Sequence, residues 1–256
     1  MPERPWLILT LRRTGGTSLT AFLAGISPFP TVQHEPFNID RVFGQVTRAF
    51  RDHRDAQALR AGIAAALGDD PARLPNIKHC LDVVPPALTA ELIRACAARG
   101  YAVLLYTRGD EAGRLRSLFL ALSTGAWGGA EAQRIYPEIR AGRIQPRPID
   151  PDQVRRRLTE DRDRLARVIR QLEQDGIAHS RRRFEDIYGP GRSAPDEARR
   201  LAAELGSDVA PDAPALRWFD ASQKQGSESI AEHVPGYPQA VALLDKLCHD
   251  DTSPDP

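Results

Sequence analysis

Long apolar runs are absent from this sequence of 256 residues, and cysteine is scarce. No apolar stretch approaches the length of a membrane-spanning helix, and the six-residue run Trp6–Leu11 is too short for the core of a signal peptide. The three cysteines, Cys80, Cys96 and Cys248, are odd in number and lack the spacing of metal ligands. This argues for a reducing compartment and against a disulfide framework. We therefore expect a cytoplasmic protein without a membrane span.

Excess charge of either sign is also missing. Thirty-five basic residues face 34 acidic ones, which gives a net charge of +1 and no global field that would attract nucleic acid or an anionic membrane. The apolar fraction of 41% is sufficient for a substantial core. We expect a single domain over residues 1–249 and a disordered tail at 250–256. The oligomeric state is left open, a homodimer included.

The most informative stretch is the apolar run Trp6–Leu11 and the glycine-rich loop that follows it. An apolar run without helical period predicts a buried strand. Gly15 and Gly16 interrupt it, and Thr17 or Ser18 is expected to cap the helix that follows. Backbone N–H groups, the helix dipole and the side chain of Arg13 would together form an anion site.

This loop lacks the Gly-Lys-Ser/Thr ending that holds a terminal nucleotide phosphate and its magnesium. What remains suits a smaller anionic group that is bound without a metal. An ordinary strand-to-helix turn is the alternative interpretation.

A second strand–loop–helix unit repeats the first. The buried strand Ala102–Thr107 ends in Arg108, and Asp110 can cap a helix that carries Ser117. Strands separated by helices imply βαβ units and a parallel sheet. We therefore predict an α/β protein with a three-layer, P-loop-like fold in which a central, mainly parallel sheet is flanked by helices.

The remaining segments of the chain predict further helices and strands. The predicted elements are one or two helices in Val42–Leu67, a short strand in Asn76–Leu81, a helix over Thr89–Arg99, an irregular segment over Tyr136–Pro151, a long charged helix over 152–174, a strand over Ile177–Phe184, and helices over Pro195–Leu205 and Tyr237–His249. An early short strand, Thr31–Gln33, is expected to end in His34 and Glu35, because Pro36 keeps Glu35 out of a helix. This pair would lie beside the anion loop if that strand neighbours the first one, and a solvated turn is the alternative.

Four segments of the sequence resemble segments of a known enzyme family. Arg13–Leu19 resembles the phosphosulfate loop of sulfotransferases that use 3′-phosphoadenosine 5′-phosphosulfate (PAPS), particularly bacterial enzymes that sulfate sugars or glycolipids. Arg108–Ser117 resembles their 3′-phosphate segment, Ala121–Trp127 resembles a continuation found in the glycolipid group, and Phe184–Ile187 resembles a late strand end. Arg13 stands where many members carry a lysine, and the resemblance implies an electrostatic role for it, while protonation of the leaving group by the bulkier guanidinium is left open.

The resemblance implies a donor site without a metal. PAPS would be the sulfuryl donor and adenosine 3′,5′-bisphosphate the product. Arg108 and Ser117 would hold the 3′-phosphate, and an irregular segment over 210–235 would lie above the donor. The 5′-phosphosulfate would be held by Arg13 and by Thr14, Gly15, Gly16, Thr17 and Ser18, and the C-terminal flap would contain Lys224, Gln225, Gly226 and Ser227.

Two residues are candidates for the base that the acceptor hydroxyl needs. Glu35 follows an early strand, where glycolipid-type relatives carry a catalytic glutamate. His79 follows Lys78, much as a catalytic histidine follows a Lys-Thr pair in cytosolic relatives, although one residue of that spacing is missing here. The choice stays open, with His34 as a weaker third option. Trp127 and Phe37 either line an acceptor pocket or pack in the core.

The acceptor itself is not encoded in a readable motif. A carbohydrate, a glycolipid or another small molecule would meet the segments 31–45, 123–150 and 210–235. A P-loop-like nucleotide kinase or hydrolase, which would depend on magnesium, and a non-catalytic nucleotide-binding protein are the competing interpretations.

Overall fold

The computed structural model describes residues 4–32, 34–219 and 227–249. The strands in these residues are β1 (Trp6–Thr10), β2 (Ile77–Cys80), β3 (Ala102–Thr107) and β4 (His179–Arg183). The α-helices are α1 (Gly16–Ile26), α2 (Gly44–His53), α3 (Ala56–Leu67), α4 (Pro86–Ala98), α5 (Glu111–Thr124), α6 (Gly129–Arg140), α7 (Pro151–Gln174), α8 (Phe184–Tyr188), α9 (Ala194–Glu204) and α10 (Tyr237–His249). In the same described residues, 3-10 helices cover Pro71–Arg73, Pro214–Phe219 and Ser227–His233. None of the helices described has both the length and the apolar character that a membrane-spanning segment needs.

The chain divides into two compact units. Within the described residues, the first unit consists of 4–109 and 163–219 and contains the whole sheet, and the second consists of 110–162 and 227–249. Helix α7 runs through the boundary between them. The single domain predicted over 1–249 stays a prediction, and the predicted tail at 250–256 lies outside the described residues.

The sheet of the first unit is parallel throughout, with strand order β2-β1-β3-β4. This confirms the α/β prediction of a central parallel sheet flanked by helices. Thr10 at the end of β1 pairs with Cys80 on one side and Tyr106 on the other. The chain leaves β1 toward β2 and leaves β3 toward β4, so the direction reverses between β1 and β3. In open parallel sheets, ligands bind at the carboxyl ends of the strands beside such a reversal.

Alternation of apolar side chains along β1 builds a core on each face of the sheet. Leu7 and Leu9 belong to a core that also contains residues of α2, α3, α4 and the C-terminal half of α7. Trp6 and Ile8 point to the other face and join residues of α1 and α9. Because both faces are covered by helices, the carboxyl edge of the sheet is where loops and polar side chains gather.

The second unit is helical and has its own apolar core, to which α5, α6, α7 and α10 contribute. A buried ion pair lies within it. The guanidinium of Arg114 is 2.8 Å from the carboxylate of Asp161, and both side chains are almost fully buried. Arg157 also contacts Asp161, at 2.9 Å.

Several predicted boundaries are wrong by a few residues or more. Helix α4 begins at Pro86 rather than Thr89, because proline suits the first helical turn, where its missing N–H has no partner to lose. Helix α6 covers Gly129–Arg140, where an irregular segment was predicted from Tyr136 onward. The strand Ile177–Phe184 is shorter than predicted, since β4 ends at Arg183 and α8 follows directly. Thr31 makes an isolated parallel bridge to Asn76, and so lies beside β2 rather than β1.

Candidate anion site at the end of the first strand

The loop after β1 is a tight turn that exposes the beginning of α1. Arg13 and Gly15 both have left-handed backbone conformations, with φ of 67° and 79°. The Thr14 hydroxyl donates to the carbonyl oxygen of Leu11 at 2.8 Å and closes the turn. Gly15 is the N-cap, and it provides no side-chain hydrogen bond to the helix. The N-cap residue therefore provides no side-chain cap for the N–H groups at the start of α1, and N–H groups left open by the N-cap are the usual feature of a helix N-terminus that binds anions.

The prediction that Thr17 or Ser18 caps this helix is wrong. The left-handed conformation of Gly15 turns the chain early, so that α1 begins at Gly16 and both hydroxyl residues lie inside its first turn. Thr17 is exposed. The Ser18 side chain hydrogen-bonds to Tyr188, which positions that hydroxyl toward α8.

Phe184 joins the two segments that the sequence suggested for the donor. A Cβ placed on Gly15 would lie 2.7 Å from carbon atoms of the Phe184 ring, so only glycine fits there. The guanidinium carbon of Arg108 lies 4.8 Å from the centre of the same ring. The loop after β1 and the arginine at the end of β3 therefore meet around one aromatic side chain.

Lys78 lies beneath the same turn and was not proposed as a functional residue from the sequence. A Cβ on Gly16 would be 3.4 Å from Cε of Lys78 and 4.0 Å from the ring of Tyr106. Lys78 is 7% exposed, and its Nζ donates to Oε1 of Glu35 at 3.2 Å. Burial alone would lower the pKa of Lys78, but the neighbouring Cys80, Glu35 and Asp82 together raise it. A charged ammonium thus sits under the start of α1.

Glu35 is held between Lys78 and Cys80. Its backbone has a φ of 61°, which is uncommon for a residue other than glycine, and its Oε1 also accepts from Sγ of Cys80 at 3.2 Å. Burial raises the pKa of Cys80 well above its usual value, so this thiol is a hydrogen-bond donor. Burial opposes ionisation of Glu35, but Lys78 and the two hydrogen bonds outweigh it and lower the pKa of the carboxyl. Glu35 is therefore an ionised carboxylate in an ion pair.

Tyr106 contributes a buried hydroxyl to the site. Tyr106 is fully buried at the end of β3, and no hydrogen-bond partner for its hydroxyl is found among the residues that the structure describes. That oxygen lies 3.9 Å from the Cβ position of Gly15. A buried polar atom that makes no hydrogen bond costs stability, and such atoms often mark the place of a missing ligand or water.

His79 points away from this cluster. Side chains alternate along β2, so His79 faces the opposite side of the sheet from Lys78 and Cys80. Its Nε2 lies 2.9 Å from the Thr89 hydroxyl, and burial lowers its pKa to about 4. This environment fits a neutral core histidine better than a base at the anion site. Phe37, which packs beside His79, is likewise fully buried in the core rather than in an acceptor pocket.

A second ion pair ties the loop to β2. The Nε of Arg12 lies 2.7 Å from Asp82, and the backbone N–H of Arg12 donates to the same carboxylate at 3.1 Å. The Asp82 side chain is fully buried. This pair fixes where the loop leaves the sheet, and it is a further contact that the sequence did not suggest.

Comparison of the chain with protein-family models, with curated proteins and with solved structures finds no match. In the part of the chain that the structure describes, no group of three or more His, Cys, Asp or Glu residues is arranged to hold a metal ion. Any assignment of function therefore depends on the chemistry of the site.

The remaining candidates lie elsewhere. Ser117 is on α5 in the second unit, and its predicted pairing with Arg108 stays a prediction. Trp127 is also in the second unit, where its side chain is partly exposed and its backbone N–H donates to Oε2 of Glu131. His34 is exposed. Lys224, Gln225 and Gly226 lie outside the described residues.

Proposed function

We propose that this chain is a PAPS-dependent sulfotransferase, which transfers a sulfuryl group to a hydroxyl of a carbohydrate, a glycolipid or another small molecule. One observation carries the proposal. The start of α1, which its N-cap glycine leaves without a side-chain cap, lies beside a buried ammonium, that of Lys78, and a buried hydroxyl, that of Tyr106, for which the described residues provide no hydrogen-bond partner. This set of donors suits a tetrahedral anion that is bound without a metal.

The second anionic group of the donor has a place on the same edge of the sheet. Arg108 follows β3, the neighbour of β1, and approaches the Phe184 ring that packs on Gly15. An adenine nucleotide with phosphates at both its 3′ and 5′ positions would present one to Arg108 and the other to the loop. Ser117 would add a hydroxyl to the 3′-phosphate, as the resemblance implies.

The residues of the site would act mainly through charge and position. The acceptor oxygen bonds to sulfur while the bond between sulfur and the bridging phosphate oxygen breaks, and the phosphate leaves with the electron pair. Lys78, Arg13 and the N–H groups of α1 would stabilise the charge on the leaving phosphate. Glu35 would take the proton of the acceptor hydroxyl, since its carboxylate is ionised and lies beside Lys78. His79 would have no part in this step.

A binding protein without catalysis is the second candidate, because Glu35, the base in this proposal, is engaged in an ion pair with Lys78. It would bind the same nucleotide but would not turn it over. A nucleotide kinase or hydrolase is disfavoured by the missing Gly-Lys-Ser/Thr ending of the loop.

Ligand-dependent melting separates these candidates. Adenosine 3′,5′-bisphosphate is expected to stabilise the protein by about 2.7 kcal/mol at 100 times its dissociation constant, well above ATP with magnesium. Incubation with PAPS and a panel of hydroxyl acceptors should then release the bisphosphate only when an acceptor is present. Stabilisation without turnover would favour the binding protein, and stronger stabilisation by ATP with magnesium would refute the PAPS assignment.

A further inference from the structure

We propose that Glu35 binds Lys78 in the free protein and releases it when an anion enters the loop. The ammonium of Lys78 then binds the anion, and the carboxylate of Glu35 becomes free to act as a base. The identity of the anion as a phosphosulfate rests on the proposed function, whereas the exchange itself needs only an anion in the loop. Lys78 would thus be a binding residue whose availability Glu35 controls.

The position of Lys78 makes the exchange feasible. Its Cε approaches Gly16, the first residue of α1, while its Nζ lies 3.2 Å from Glu35. Within the described residues, Glu35 is the carboxylate found within ion-pair distance of this ammonium. The aliphatic part of Lys78 is therefore fixed beside the anion site, and only its terminal group is directed elsewhere. Rotation about the last bonds of the side chain can redirect Nζ toward the N–H groups of α1.

Glu35 keeps a second hydrogen bond when the ammonium of Lys78 leaves it. The Sγ of Cys80 donates to the same Oε1, at 3.2 Å, and this hydrogen bond would remain after Lys78 has moved. A carboxylate that loses an adjacent ammonium becomes a stronger base. Arrival of the anion would therefore activate Glu35, so that proton removal follows donor binding rather than preceding it.

Thermodynamic linkage predicts how Glu35 changes the affinity of the site for an anion. Whatever free energy Glu35 contributes to holding Lys78 is lost when the anion binds, so Glu35 must weaken anion binding. Removing the carboxylate charge should then strengthen it. A glutamate with a purely structural role would give the opposite result, because a disturbed site binds less well.

The test is calorimetric titration with adenosine 3′,5′-bisphosphate and, separately, with inorganic sulfate, at mildly acidic pH where a lysine stays protonated. Glu35→Gln is expected to bind each anion about tenfold more tightly than the unmodified protein, and Lys78→Met at least about tenfold more weakly. Asp40→Asn is the matched control. It removes one carboxylate from the same segment, but Asp40 is exposed and should leave both affinities unchanged.

Each outcome of these titrations supports or refutes the ion-pair exchange, the PAPS assignment, or both. If Glu35→Gln binds no more tightly than the unmodified protein, the exchange is refuted, even though bisphosphate binding would still support the proposed function. If sulfate binding follows the expected order of variants and the bisphosphate does not bind, the exchange stands and the PAPS assignment fails. If neither anion binds, both are refuted. Should Lys78→Met fail to fold, Glu35→Gln decides alone, provided that its melting curve is cooperative.

A separate groove in the first unit supports a second proposal that does not depend on the first. It is a cavity of about 390 Å³ between α4 and the C-terminal half of α7. Its apolar lining consists of Leu81, Pro86, Ala87, Ala90 and Val168, and its charged lining of Arg94, Arg164, Arg167, Arg170 and Asp175.

The charges of this groove are unbalanced. Its carboxylate, Asp175, already accepts from Arg94 at 3.2 Å and from Gln171 at 3.3 Å. Within the described residues, Arg167 and Arg170 show no carboxylate at ion-pair distance, and Arg167 donates instead to a backbone oxygen. We infer that the groove binds a small anionic amphiphile, with its carboxylate or sulfate head on these two arginines and its alkyl chain over the apolar lining. The volume is that of a small-molecule pocket.

Displacement of anilinonaphthalene sulfonate by octanoate, decanoate and dodecanoate, each below its micellar concentration, tests this assignment. Affinity should rise about fourfold per added methylene until the groove is filled, and dodecyltrimethylammonium should not compete. The double variant Arg167→Glu/Arg170→Glu should weaken dodecanoate binding at least about tenfold, whereas Arg73→Glu, at an exposed site elsewhere in the unit, should not. Equal binding of the cationic chain, or no effect of the double variant, would refute the proposal. So would a preference for an acidic peptide over every fatty acid.

Discussion

Phe184 packs so closely on Gly15 that its ring carbons lie 2.7 Å from the position of a Cβ on that glycine. The same ring carries the guanidinium of Arg108 at 4.8 Å from its centre. The turn that forms the anion site, the aromatic side chain and the arginine are therefore mechanically linked. A substitution in the turn, at Phe184 or at Arg108 should therefore shift the other two.

Alanine at Gly15 should destabilise the protein and abolish anion binding. The added methyl group must displace Phe184, and the left-handed backbone must also be strained, so we expect a loss of about 2–4 kcal/mol in the free energy of unfolding. Gly125→Ala is the control for strain alone, since Gly125 has a similar φ of 77° and no atom of another described residue crowds its Cβ position within 4 Å. It should cost about 1 kcal/mol. Equal losses in urea denaturation would show that the contact with Phe184 is unimportant.

Arg108 and Arg13 should differ in which phosphate they recognise. Arg108→Ala is expected to weaken adenosine 3′,5′-bisphosphate about 10- to 100-fold while leaving adenosine 5′-monophosphate unchanged, because only the former carries a 3′-phosphate. Arg13→Ala should weaken both ligands. Titration calorimetry of each variant with each nucleotide gives four affinities. An Arg108 variant that loses both ligands equally would contradict the assignment of the two ends.

The sequence was sufficient to predict the parallel sheet and the loop at its edge. The runs Trp6–Leu11 and Ala102–Thr107 are apolar enough to be buried on both faces, and each is followed by an arginine and a helix. Since parallel strands share one carboxyl edge, the sequence also predicts that Arg13 and Arg108 lie near each other, and this stays a prediction. The prediction of the sheet depended on the local apolar patterns, and the prediction of the site depended on the rule that ligands bind at the carboxyl ends of parallel strands.

Lys78 and Glu35 could not be paired from the sequence. A lysine in a four-residue strand normally faces solvent, and it is buried here only because α1 covers that face of the sheet. The contact with Glu35 joins residues that are 43 positions apart and depends on the left-handed turn at Glu35. The alternation of Ile77, Lys78, His79 and Cys80 was the available signal, because it separates Lys78 from His79.

Phenylalanine at Tyr106 should separate binding from stability. The buried hydroxyl has no hydrogen-bond partner in the described part of the chain, so its removal should leave the free energy of unfolding unchanged or raise it by up to about 1 kcal/mol. Sulfate and bisphosphate should nevertheless bind about 5- to 20-fold more weakly, since a donor in the anion site is lost. Denaturation and titration of the same preparation provide both values. A marked loss of stability would indicate that the hydroxyl is satisfied by a group inside the protein.

The second unit should be sensitive to its buried ion pair. Asp161→Asn removes the negative charge that faces Arg114 and Arg157, so a buried guanidinium loses its ion pair with this carboxylate, and the change should cost about 3–5 kcal/mol in the free energy of unfolding. Asp152→Asn, which affects an exposed i,i+3 pair with Arg155 at the start of α7, should cost less than about 1 kcal/mol. Similar losses in the two variants would show that the Arg114 site is reached by water.

His79 should make the protein sensitive to acid without taking part in turnover. Its pKa is lowered from 6.5 to about 4 by burial, so between these values the unfolded chain binds a proton at His79 that the folded protein does not. The stabilising effect of the neutral ring is complete above about pH 6.5 and is lost as the pH falls toward 4, by up to about 1.4 kcal/mol per pH unit. His79→Gln, which retains a polar group near Thr89, should therefore lose less stability than the unmodified protein between about pH 7 and pH 5. Urea denaturation at each pH measures the difference, and His53→Gln, at an exposed histidine, should follow the unmodified protein. Parallel curves for His79→Gln and the unmodified protein would show that folding does not change the pKa of His79, which would restore it as a candidate acid or base.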